Sequence, residues 1–235
     1  MKNNYSNYIL LTVSITSVIF LFLIFLIYVI YCYGYYDKSI QEKIIENYNS
    51  YKFDYLYEHT KKDDIYLTRD IYNNVISLTY NRNNLIKIYE SYYKNIYSKE
   101  EFLNKYYYGN KILKKESFSF SKENKTTLFK RANIYVDNIY IFNDDNNKTT
   151  YGIINNITFN IKKDSNILLD NEKISCTDIC NINKIYGGIH SIKYNIDGFT
   201  YFGLVNINED NQIININDYE DLIMVEKEGS MELLQ

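Results

Sequence analysis

The feature that most constrains this chain is a run without charge. From Tyr8 to Tyr36 there is no Asp, Glu, Lys or Arg, and residues 9–32 read ILLTVSITSVIFLFLIFLIYVIYC. A helix needs about 20 apolar residues to cross a bilayer, and the run is apolar on every face, where a buried core helix would be shorter or amphipathic. Tyrosines cluster at both of its ends (Tyr5, Tyr8, Tyr28, Tyr31, Tyr33, Tyr35, Tyr36), as the two interfacial belts require. A cleaved signal peptide has a shorter apolar core and a small-residue cleavage site, and only Cys32 and Gly34 offer that spacing. Tyr31 beside Cys32 also argues against a lipoprotein box. The expectation is a retained signal anchor.

Orientation follows from length more than from charge. Lys2 precedes the span while Lys38, Lys43 and Lys52 follow it, so the positive-inside count does not decide. Long domains translocate largely regardless of charge, and a very short N-terminal tail is the usual cytoplasmic end of a signal anchor. Residues 1–8 are therefore expected in the cytoplasm, 9–32 in the bilayer, and the rest outside the cell. Cys32 lies at the membrane edge, which leaves Cys176 and Cys180 as an even pair in SCTDIC. A disulfide across that short loop suits an extracytoplasmic domain; two unpaired thiols in a turn are the alternative.

Beyond the span the hydrophobic period changes twice. Ser39 with Glu42 has the form of a capping box, followed by a helical stripe through Ile40, Ile44, Ile45, Tyr48, Tyr51, Tyr55 and Leu56. After the polar break HTKKDD come stripes at Ile71, Val75 and Leu78 and, past NRNN, at Leu85, Tyr89 and Tyr92. Ser98 with Glu101 repeats the capping box, and Gly109 is expected to close that helix as its C′ residue. Residues 37–113 thus read as helical. Over 114–217 the period falls to two, as in Phe118 and Phe120 alternating with serines. Turn signals at NDDNN, Asp170-Asn171, Asp197-Gly198 and NEDN mark seven or eight antiparallel strands. Residues 218–235 carry six acids against one lysine and read as a solvated tail. The fold class is α+β, with a transmembrane helix, a helical region and an antiparallel sheet or small β-sandwich.

Residues 167–203 resemble the PEGA-type β modules of bacterial envelope proteins. ILLDNEKI looks like their first hairpin and GGIHSIKYNIDGF like their second signature, although the usual proline is absent and Asn171 stands where the turn glycine would be. The order of residues 38–160, helices ending in SKEEFLNKYY and then a sheet, is similar to the cone-shaped α+β fold of the nuclear transport factor family, which in Gram-positive envelopes often stands between an anchor and a working domain. Both resemblances imply a domain that binds and does not catalyse.

Chemistry-bearing motifs are sparse. No nucleophile elbow, phosphate loop, HExxH or dinucleotide fingerprint is present, so no catalytic residue, metal ligand or cofactor is assigned. His59 is expected at a helix end on the surface, and His190 facing outward on a strand; a zinc site would need both to converge on the cysteine loop. NDDNNKTTYG lacks the glycine and glutamate of a calcium loop and reads as a hairpin turn. Adjacent acids at Asp63-Asp64, Glu100-Glu101 and Glu209-Asp210 point apart and do not form an acid-base couple. Tyr106, Tyr107 and Tyr108 beside Lys105 have the chemistry to stack on sugars, but in a chain with 28 tyrosines they read as core.

With 26 basic and 29 acidic residues the chain has no overall pull toward nucleic acid. The abundance of Ile, Asn, Tyr and Lys, with a single Ala and no Pro or Trp, is the mark of AT-rich codons, and the sequons at Asn124, Asn147 and Asn156 are what so many asparagines produce by chance. Residues 37–115 hold 14 basic and 11 acidic side chains, a mild excess that reads as solvated helix faces. The resulting expectation is a non-enzymatic membrane protein whose partners are the bilayer, through residues 9–32, and an envelope protein or glycan. An anchored hydrolase built around His190, or a viral or parasite surface protein of the same topology, are the rivals.

Overall fold

The computed structural model describes residues 2–62, 65–109, 114–123, 133–142, 148–162 and 166–227. Asp63, Asp64, Asn124, the 143–147 turn and everything after 227 lie outside the described residues. The chain is α+β.

Helix α1 (Lys2–Asn49) contains one segment long and apolar enough to cross a membrane, with none of its most apolar stretch buried against the protein. It does not stop where Ser39 and Glu42 suggested a new start. No proline interrupts the sequence, Gly34 stands alone, and helical residues continue through 49, so the membrane-length segment and the first domain helix are one rod. Its last turns bury Ile40, Ile44 and Tyr48 in a core with Leu56 of α2 (Phe53–Glu58) and Ile71 and Val75 of α3 (Arg69–Tyr80). Removing one such fully buried aliphatic side chain costs about 2–5 kcal/mol. Thr68 caps α3, and Asn81 caps α4 (Arg82–Ile88), its side chain accepting from the Asn83 and Asn84 amides. A π turn over Tyr89–Tyr93 leads to α5 (Lys99–Tyr106), whose capping box between Ser98 and Glu101 is formed.

Ten strands follow: β1 (Phe118–Glu123), β2 (Asn133–Phe142), β3 (Lys148–Asn160), β4 (Asn166–Leu169), β5 (Glu172–Ile174), β6 (Ile179–Tyr186), β7 (Gly188–Ile196), β8 (Phe199–Ile207), β9 (Ile213–Asn215) and β10 (Ile223–Lys227). One sheet runs β1-β2-β3-β6 and the other β10-β8-β7-β4-β5. Ile157, Phe159 and Ile182 of the first sheet face Ile167, Ile192 and Ile207 of the second, giving a sandwich core. Helices α3, α4 and α5 cover the opposite face of β7 and β8, where Leu78, Leu85, Tyr93 and Phe102 meet Ile189 and Leu204. Helix α3 packs directly on β7 at Gly188, where a Cβ would sit 2.7 Å from both Thr79 Oγ1 and Val75 Cγ1.

Two differences from the sequence reading are topological. β9 pairs with β3 in parallel, because the chain crosses back over the sandwich after β8. The stretch read as a solvated tail from 218 onward is, in its described part, integral: Ile223–Lys227 pairs with β8 and Asp221 is buried.

Candidate functional site

Three places gather polar or aromatic side chains, and two of them are closed. The first surrounds His190, which is fully buried, not facing outward. Asp170 and Asn171 sit at positive φ in the β4–β5 hairpin turn, and this turn swings the Asp170 carboxylate under β7. His190 Nδ1 lies 2.5 Å from Asp170 Oδ2 and Nε2 lies 2.6 Å from the Tyr186 carbonyl. Both ring nitrogens face acceptors, so the imidazole is tied to the Asp170 carboxylate on one side and to the Tyr186 carbonyl on the other. The other carboxylate oxygen accepts from the Ser191 amide at 3.0 Å, the Ser191 hydroxyl at 3.3 Å and Asn74 Nδ2. A general base needs a free ring nitrogen within reach of substrate, and this imidazole has neither freedom nor access. The expectation of an outward His190 failed because its partners are a turn residue twenty positions earlier and a backbone carbonyl, neither of which leaves a local pattern.

The second closed site surrounds Asp221. Its carboxylate accepts from the Tyr97 and Tyr106 hydroxyls and from Lys105 Nζ at 2.7 Å, while its carbonyl accepts from Tyr93 at 3.0 Å. Burial, together with the Asp221 charge, pushes the Tyr93 and Tyr106 phenols well above their ordinary range, and Tyr219 up to about 12. Burial opposes the Lys105 charge, but hydrogen bonds to Asp221 and Tyr97 raise it overall. Tyr106 is therefore a structural side chain.

The third place is open. A groove of about 590 Å³ runs between the end of α1, α3 and the segment after α5, lined among others by Tyr51, Phe53, Asn73, Tyr80, Arg82 and Tyr107. It continues, past Arg82 and Tyr107, into a basin of about 410 Å³ bordered by Lys99, Glu100, Leu103 and Asn104. These volumes fall in the range of small-molecule sites. Gly109 does not end α5; it admits the Tyr107 ring, since a Cβ there would lie 2.7 Å from the Tyr107 hydroxyl oxygen. The Tyr51 hydroxyl donates to the Gly109 carbonyl, so both tyrosines converge on one glycine. Burial and the neighbouring Tyr51 raise the Tyr107 phenol while Arg82 acts the other way, placing the guanidinium charge within electrostatic reach of the ring. The groove thus offers aromatic faces, side-chain amides and the Arg82 cation to a polar ligand, and the basin adds Lys99 and Glu100. A smaller void beneath it, between Tyr48, Leu56, Tyr72 and Tyr186, measures about 30 Å³, room for a single water.

His59 ends α2 as expected, its Nδ1 2.8 Å from the Tyr55 carbonyl and its ring stacked on Tyr55. Cys176 and Cys180 are joined as a disulfide, with Cα atoms 5.4 Å apart. Among the described residues no group of His, Cys, Asp and Glu could hold a metal ion. The sequence reading gave Tyr107 the chemistry to stack on sugars but placed it in the core and missed the groove, because the lining comes from three separate stretches, 51–53, 73–83 and 99–107. Compared with known proteins, the chain matches no family model, no curated protein and no solved structure.

Proposed function

We propose that this chain is a single-pass membrane protein that holds a non-catalytic α+β domain outside the cell, where it binds or assembles components of the cell envelope. The observation that carries this reading is the continuity of α1: one helix joins a membrane-length apolar segment to the domain core through Ile40, Ile44 and Tyr48. At 1.5 Å per residue, the stretch from 33 to 49 sets the open groove about 25 Å along the helix axis from the membrane edge. A Cys176–Cys180 disulfide suits an oxidising compartment, and the hairpins within 167–203 keep the resemblance to PEGA-type envelope modules as part of the proposal. Such a domain would recognise its partner by shape, aromatic contact and hydrogen bonding.

Sidedness is the test. Glu172 is exposed on the β5 hairpin, so Glu172→Cys in a Cys32→Ser background gives a reactive thiol on the domain. A membrane-impermeant maleimide should label it on intact cells. Labelling seen only after lysis overturns the envelope reading in favour of a tethered cytoplasmic adaptor.

A further inference from the structure

We propose that the groove between Tyr51, Arg82 and Tyr107 binds an acidic saccharide, with a sugar ring against the tyrosines and its carboxylate or phosphate on Arg82. The proposal rests on the envelope reading above and names the ligand class of its open site.

The backbone at Tyr51 is the first argument. Among the described residues six that are not glycine have positive φ; five are Asn or Asp, and the sixth is Tyr51 at 58°. For a bulky side chain this region is a genuine outlier, and such strain persists where the surroundings or a function demand it. Glycine or asparagine would take the same turn with less strain, and asparagine is commoner in this chain than tyrosine. What the turn does not need is the ring. Tyr51 is 55% exposed and lines the groove, its ring fixed by the hydroxyl on the Gly109 carbonyl and by an edge contact with Phe53 at 6.0 Å. Tyr107 is positioned by the same glycine. Two rigid, partly exposed phenols converging on one cleft suit the C–H face of a pyranose, which needs an apolar plane with polar groups at its rim.

The second argument is a contrast between arginines. Arg69 is fully engaged, 2.7 Å from Asp54 and 2.5 Å from Glu58, with its guanidinium carbon 4.7 Å from the centre of the Tyr57 ring. Arg82 makes no ion pair among the described residues, although it lines both halves of the groove. Its neighbours there include the neutral amides Asn73, Asn81, Asn83 and Asn104, while the charged Lys99 and Glu100 border only the second basin. A guanidinium is a planar fork that binds carboxylate or phosphate through paired hydrogen bonds, and asparagine amides match sugar hydroxyls as donor and acceptor. An acyl chain in this groove would leave the amides unpaired.

The test is calorimetric titration of the full-length protein in detergent micelles with a galacturonate tetramer, its methyl ester and a mannose-phosphate oligomer. At least one acidic ligand should bind roughly tenfold or more tightly than the uncharged ester. Preference for galacturonate identifies a carboxylate and preference for the phosphate oligomer a phosphorylated sugar; either supports the site. Arg82→Gln should erase the difference between acid and ester without moving Tm, since the residue is exposed. Tyr51→Gly should weaken every ligand while Tm stays level or rises, opposite signs that a merely structural tyrosine would not give. No binding at millimolar concentration, equal affinity for acid and ester, or indifference to Arg82→Gln overturns the proposal. Capture of an envelope component that persists in Arg82→Gln would overturn it too, while leaving the envelope reading standing.

Discussion

Asp170 and Asp221 are both buried carboxylates in turns beside the second sheet, yet their partners differ. Those of Asp170 lie within the fold: His190 is wholly enclosed against one carboxylate oxygen, and Asn74 and Ser191 donate to the other. Asp221 is held by phenols, and its only cation is Lys105, whose side chain is 43% exposed and reaches in from the surface. In the first case imidazole and carboxylate are both cut off from water, so a group left behind by the loss of its partner has no solvent to turn to. In the second the cation reaches in from the surface, and its loss leaves the carboxylate held by the phenols with water close by.

The largest effect should come from splitting the first pair. His190→Ala removes a fully buried ring and leaves Asp170 Oδ2 and the Tyr186 carbonyl without their imidazole partner, and should lower stability by about 3–5 kcal/mol in urea unfolding. Asp170→Ala should cost a similar amount, and the double variant less than the sum. Asp221→Ala removes hydrogen bonds to two phenols and should cost about 3 kcal/mol on the same measurement, since each hydrogen bond to a charged group contributes about 1.5 kcal/mol or more. Alkaline pH should then separate the two regions. Tyr93, Tyr97, Tyr106 and Tyr219 are all raised above the ordinary phenol value of 10. The unfolded chain therefore loses those protons first. Their contribution is complete below pH 10 and declines as pH rises, for Tyr219 through about 12. Thermal unfolding against pH should show that decline, and Asp221→Asn should make it shallower. The smallest change belongs to Lys105→Met, under about 1 kcal/mol, because a half-exposed ion pair is weakened by solvent. A loss as large as that of His190→Ala would abolish the distinction between the sites.

What was legible in the sequence was whatever leaves a local, periodic trace. The apolar stretch of α1, the Ser98–Glu101 capping box and the Asp170-Asn171 and Asp197-Gly198 turns all appear where spacing and turn chemistry put them. The reading failed where tertiary contacts outweigh local composition. Ser39 and Glu42 have the form of a helix start but lie inside α1, since a capping pair starts a helix only where the preceding residues are not already helical. Asp221 sits in an acidic stretch whose charge density suggested solvent; three tyrosines and a lysine more than a hundred positions earlier bury it. The groove was the least legible feature, because one more Tyr or Asn carries almost no information in a chain so rich in both.

The unbroken helix α1 also makes the domain's position a matter of leverage. A hinged linker would let a domain wander over a hemisphere above its anchor, whereas a continuous helix transmits angle. On the single-pass topology proposed above, with a lever arm of about 25 Å, a tilt of roughly 20° in the bilayer would carry the groove sideways by about 9 Å and lower it by only 1–2 Å. On that same topology, changes in membrane thickness, which helices accommodate by tilting, would register mainly as lateral displacement of the groove.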